Sequence, residues 1–169
     1  MIANILPPPH DLELPIVKLL THPTYHSYQS HIATFSLFPR VYLSYAPPTW
    51  NAPTPPTLLS DQGVATPSKE KKEWKRRIKM YCKSDPLSFL SPFDRLTLLS
   101  VGPALEAFGF ERILFGSAPS PSSHASSSAG DWYEIARESF AEIGVEQSSV
   151  DAVFGGNAQR MYSSLEGSV

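Results

Sequence analysis

A single cysteine, Cys82, stands in a chain of 169 residues. No disulfide can form within the chain, and a cytoplasmic setting is expected. Charge is scarce as well: 18% of residues are Asp, Glu, Lys or Arg, and 14 basic against 16 acidic residues leave a net charge of −2. That balance makes no broad field for nucleic acid or an anionic membrane, so neither is expected as a partner. No run approaches the ~18 apolar residues of a membrane span. The opening MIANILPPPHDLELP lacks the basic start and long apolar run of a signal peptide. No internal repeat is visible.

What is abundant is proline, with 17 residues, about twice the usual ~5%. Hydrophobic residues make up 41%, enough for one domain with a real core and many loops. Residues 1–12, broken by Pro7-Pro8-Pro9, read as an irregular lead-in. LPIVKLL, Leu14 to Leu20, reads as a buried strand with Pro15 at its start. Thr24 to Leu37 reads as a helix with Tyr28, Ile32 and Phe35 on one face, ended by Pro39. RVYLSY, Arg40 to Tyr45, is a second strand. Residues 46–68 hold six prolines without periodicity and form a long loop.

Lys69 to Lys83 is basic and helical, with Trp74, Ile78 and Tyr81 at helical spacing. Ser91 to Phe108 is a further helical stretch, kinked or split at Pro103 and ended by Gly109. A third strand covers residues 112–116, and Pro119 to Gly130 is a Ser-rich loop. Asp131, with Glu134 three residues on, can cap the next helix, whose face is Trp132, Ile135, Ala136, Ser139, Phe140 and Ile143. Gly144 fits the C′ position. Residues 146–154 and 157–164 read as two short helices split by Gly155-Gly156, with Asn157 as the second one's N-cap. Apolar strands alternating with helices argue for about three parallel β/α units.

Several residues carry chemistry on paper. His22, His26 and His31 cluster in HPTYHSYQSH, but Pro23 resists a helix through His22 and no Glu completes a zinc-helix pattern, so a polar loop is expected rather than a metal site. Ser117 in Gly-Ser-Ala-Pro lacks a nucleophile elbow, and His124 lies in the Ser-rich loop. The basic run at Lys69–Lys83 has no Gly-rich cradle and reads as a solvated helix face. Cys82, despite Lys79 and Lys83 nearby, reads as a quiet structural thiol. Trp50, Trp74 and Trp132 read as packing or loop anchors.

The string from Phe108 to Ser117, FGFERILFGS, resembles the last-strand signature F-G-x-x-R-I-L-F-G-S-D-x-P of the amidohydrolase-related family. These are metal-dependent hydrolases and decarboxylases on a (β/α)₈ barrel. The run Ala152 to Tyr162, AVFGGNAQRMY, resembles the family's closing helix. Leu14–Val17 leading to Thr21-His22 resembles the sixth strand and its histidine, and Pro39–Ser44 the seventh. The likeness is good over the last 60 residues and loose over the first 45, and residues 46–90 do not align.

The resemblance implies an incomplete TIM-barrel-like α/β fold made of the C-terminal strands of such a barrel, as one domain over residues 1–169. A whole barrel takes about 250 residues. It implies a small-molecule substrate and a zinc or other divalent metal whose activated water hydrolyses C–N or lactone C–O bonds, or assists decarboxylation. Two departures stand against that chemistry here. Ala118 occupies the family's aspartate position, and a methyl group can neither bind metal nor accept a proton. The His-x-His of the first strand, the Lys or Glu of the fourth and the His of the fifth have no counterpart, so no metal or cofactor is expected in this chain. His22 alone is left as a candidate catalytic group, either at a strand tip or as a hydrogen-bonded histidine at the sheet edge. Two functions follow: a hydrolase by descent, or a non-catalytic remnant, either a pseudoenzyme that binds something or a truncated gene product. Open sheet edges predict self-association.

Overall fold

Parallel pairing of three short strands organises the chain. The computed structural model describes residues 2–4, 14–48, 50, 52–57, 69–82, 104–118 and 128–166. Strand β1 (Ile2–Asn4) pairs with β2 (Tyr42–Tyr45), and β2 pairs with β3 (Ile113–Phe115), giving the order β1-β2-β3. The register sets Ile2 beside Tyr42 and Leu43 beside Ile113. Between and after them run helices α1 (Ile16–Leu20), α2 (Pro23–Ser36), α3 (Lys69–Cys82), α4 (Ala104–Phe108) and α5 (Ala129–Glu142), then α6 (Gln147–Asp151) and α7 (Asn157–Glu166). The chain is thus α/β and helix-rich, with a small parallel sheet. None of the helices is long and apolar enough to cross a membrane, among the described residues.

The first expected strand is a helix. In LPIVKLL the buried side chains are Ile16, Leu19 and Leu20. Their i, i+3, i+4 spacing buries one helical stripe, whereas a strand would bury alternate residues. Pro15 sits at the N-cap, where its missing N–H is harmless. The sheet takes its first strand from the expected lead-in instead: Ile2–Asn4 lies where Leu14–Leu20 was expected. The expected helix over Ser91–Phe108 is described only at its end, Ala104–Phe108; its other residues, Pro103 included, lie outside the described residues.

Helices α3 and α5 lie side by side. Lys71 bonds Glu134 and Glu138 (3.4 and 2.9 Å), Lys75 bonds Glu138 (3.0 Å) and Glu142, and Lys79 bonds Glu142 (2.7 Å). The lysines ascend with the glutamates, so the helices are parallel, as in consecutive β/α units. This corrects the solvated-face reading of the basic run: its 71/75/79 stripe is neutralised by an acidic stripe, and the Lys71 side chain is only 8% exposed. Glu138 feels burial, which raises its pKa, but hydrogen bonds from Lys71 and Lys75 outweigh it and hold it below the ordinary carboxylate value. For Glu142 the lysines are Lys75 and Lys79. Lys75 is likewise pulled down by burial but lifted on balance above its ordinary value by Glu142 and Glu138.

These shifts fix the sign of the pH response. The depressed carboxylates stabilise the fold above their unfolded value of ~4.3 and stop doing so as pH falls through their folded values. The raised lysine stabilises below ~10.4, and its contribution is lost as pH rises through its folded value. Melting temperature should therefore form a plateau between about pH 5 and 10, with an acid arm that flattens in a Glu138→Gln/Glu142→Gln variant. An unchanged acid arm in that variant would remove the ladder as its cause. Each outer rung is worth under about 1 kcal/mol and should weaken in high salt.

The core between sheet and helices centres on Tyr45, which meets Trp132 (5.2 Å between ring centroids), Phe140 (5.0 Å) and Phe154 (6.3 Å). A second aromatic group joins α2 to α3: the Tyr28 and Tyr81 rings are 5.4 Å apart, and the Tyr28 hydroxyl donates to the Tyr81 carbonyl at 3.2 Å. Trp50, Trp74 and Trp132 are buried, as packing anchors should be, and Trp50 meets Trp74 edge-on at 4.5 Å.

Helix ends follow their chemistry. Gly109 (φ +66°) and Gly144 (φ +78°) take the left-handed conformation that side chains resist. After α5 the Gly144 N–H donates to the Ala141 carbonyl and the Val145 N–H to that of Phe140, a Schellman closure. The N-cap of α5 is Ser128, whose hydroxyl accepts from the Asp131 N–H at 3.4 Å. Asp131, expected as the cap, sits inside the first turn, and Glu134 turns to Lys71 instead of closing a capping box.

The two expected C-terminal helices run on as one. A π-helical turn, Ala152–Gly156, joins α6 to α7 without a break. Asn157 is accordingly not an N-cap: its backbone is helical (φ −68°, ψ −41°) and its side chain is 2% exposed. The side-chain amide donates to the carbonyls of Phe110 (2.6 Å) and Ile113 (2.7 Å), and its oxygen accepts from Arg160. In β3 the groups of residues 114 and 116 point toward β2, since the Gly116 N–H donates to the Tyr45 carbonyl. The Ile113 carbonyl therefore points outward, and Asn157 occupies it, so the outer edge of β3 is not a bare ladder.

Candidate functional site

Because the strands are parallel, Asn4, Tyr45-Ala46 and Phe115 to Ala118 lie at one end of the sheet. That is the end at which β/α proteins carry their sites. Gly116 brings the strands close there: a Cβ on it would stand 3.4 Å from the Ser44 hydroxyl and 3.5 Å from the Ala46 methyl. Its carbonyl accepts from the Trp132 indole N–H at 3.0 Å, which fixes the end of β3 beneath α5. Beyond it Ser117 and Ala118 are exposed. The small described side chains at this end are those of Ser44, Ala46, Ser117 and Ala118, beside the rings of Tyr45 and Phe115.

A divalent metal such as zinc asks for imidazole, thiolate or carboxylate donors. Among the described residues no three His, Cys, Asp or Glu converge to supply them. The described strand ends therefore do not fit a metal site. Cys82 is buried, and burial pushes its thiol up to about 12, as a quiet structural cysteine requires.

His22 is not at a strand tip, because the segment before it is helix α1. It is the N-cap of α2, with Pro23 at the first helical position. Its Nδ1 accepts from the Thr24 N–H at 3.3 Å and shares a 2.8 Å hydrogen bond with the Thr24 hydroxyl. His26 and His31 are exposed on α2, against the rings of Tyr25 and Phe35 respectively. The three histidines thus serve one helix rather than a common centre. His124 lies outside the described residues.

Asp131 was missed as a binding group by sequence reasoning. Buried at the first turn of α5, its Oδ1 accepts from both the N–H (2.8 Å) and the hydroxyl (2.7 Å) of Thr57. This pins the described end of the proline-rich loop, which leaves the sheet after β2. A carboxylate accepting near a helix start is also favoured by the helix dipole. Asp131→Ala should release that loop and raise proteolytic nicking within residues 52–57; cleavage at the native rate would show that Trp50 on Trp74 holds the loop alone.

The pinned loop forms one wall of an open groove of about 550 Å³, with Ala52 and Pro53 to Pro56 facing Lys69, Glu70, Glu73 and Trp74 of α3. Its volume suits a small molecule. Glu73 is already paired with Arg77 at 2.9 Å, and Arg77 also donates to the Leu14 carbonyl at 2.7 Å.

Neither a family model nor a curated protein matches the chain. Among solved structures it is similar to a crystal structure of an amidohydrolase from Burkholderia multivorans, with a TM-score of 0.45 and 16% identity over 83% of this chain. The match spans 37% of that protein's length.

Proposed function

We propose that the chain is an amidohydrolase-related protein that forms part of a barrel wall and carries out no metal-dependent hydrolysis by itself. The observation that carries this reading is the set of side chains at the shared strand end. Ser44, Ala46, Ser117 and Ala118 stand there, with Ala118 at the position where the resembled signature has its aspartate. A water molecule needs a metal or a base beside it to attack an ester or amide at neutral pH, and these groups offer neither. The signature residues instead have structural work: Arg112, Gly116 and Asn157 fix where β3 begins, where it ends and what covers its outer edge.

The test uses the whole chain with zinc or manganese against a panel of esters, lactones and amides. Turnover should equal that of metal alone, and neither metal should raise the melting temperature. Turnover that scales with protein and disappears with chelator would overturn the reading. In that event His22→Ala decides whether His22 takes part. Otherwise that substitution should act on stability, with its helix cap worth about 1 kcal/mol, and leave turnover at the level of metal alone.

A further inference from the structure

We draw no further inference here: the strongest candidate, the groove between the proline-rich loop and the first turns of α3, has largely apolar walls and two carboxylates, Glu70 and Glu73, offset by Lys69 and Arg77, and nothing in the structure shows what covers it.

Discussion

Asn157→Ala should destabilise the protein by about 3 kcal/mol, the sum of a buried carbonyl and a part-buried one left without this donor at ~1–3 kcal/mol each, the second toward the lower end. For a chain of this size that corresponds to a melting temperature lower by roughly 6–12 °C. The two carbonyls belong to Phe110, in the turn before β3, and Ile113, in β3 itself, so one side chain holds the strand from the side opposite β2. Asn157→Asp keeps the size but replaces the donating amide with a carboxylate facing two carbonyl oxygens, and should be worse than Ala. Because the Ile113 carbonyl is then uncovered, the alanine variant should also form more soluble aggregate at equal concentration, measured by sedimentation. A variant that melts within about 1 °C of the native chain would mean that water replaces the amide at no cost.

Asn157 also shows what could be read from the sequence and what could not. Its position after two glycines suggested a helix start, but the fold uses the glycines in a π-helical turn and keeps the helix going. Nothing local distinguishes the two outcomes, because the deciding partner lies 44 residues earlier. The long periodic helices were legible: α3 buries Trp74, Ile78 and Tyr81, and α5 buries Trp132, Ile135, Ala136, Ser139 and Phe140, the faces that spacing alone indicates. The third strand was legible from Ile113-Leu114-Phe115 between an arginine and a glycine. LPIVKLL is too short for its apolar spacing to separate strand from helix, so the strand it suggests is helix α1, and His22 caps α2 instead of standing at a strand tip. Three residues of β1 beside a proline run give no pattern to detect.

The ladder between α3 and α5 was half visible. Lys71, Lys75 and Lys79 recur every four residues, and so do Glu134, Glu138 and Glu142. Each stripe alone reads as a solvated face. The matched period becomes information only once the topology sets two parallel helices side by side, which follows from two parallel strands each succeeded by a helix. Of the candidate site, the sequence indicates only that Ser117 and Ala118 follow the third strand, and the structure has both exposed there. The role of Asp131 was hidden because its partner, Thr57, is 74 residues away in a loop without periodicity.

Arg112→Met should cost about 2–3 kcal/mol, judged from the ~1.5–3 kcal/mol typical of hydrogen bonds to a charged group in a half-exposed setting. The last carbonyls of a helix have no partner within it. Arg112 supplies partners to two such ends at once: Nη1 donates to the carbonyls of Ser36 and Phe38 (both 3.2 Å), Nε to that of Phe108 (3.2 Å) and Nη2 to that of Ala107 (3.3 Å). Its guanidinium also lies 4.7 Å from the centre of the Phe108 ring. Methionine keeps much of the stem's packing and loses every donor, so the loss reports the bonds more than the volume. Arg112→Lys should recover less than half, because an ammonium is a compact charge that cannot span carbonyls arranged around a planar fork. Hydrogen exchange should locate the damage: faster exchange at the ends of α2 and α4, with the α3–α5 pair unchanged. Equal stability of the lysine variant and the native chain would show that the charge alone acts there, through the two helix dipoles. With the fork intact, the start of β3 is held by α2 and α4 while Trp132 and Asn157 hold its other points, and this places Ala118 at the shared end of the sheet.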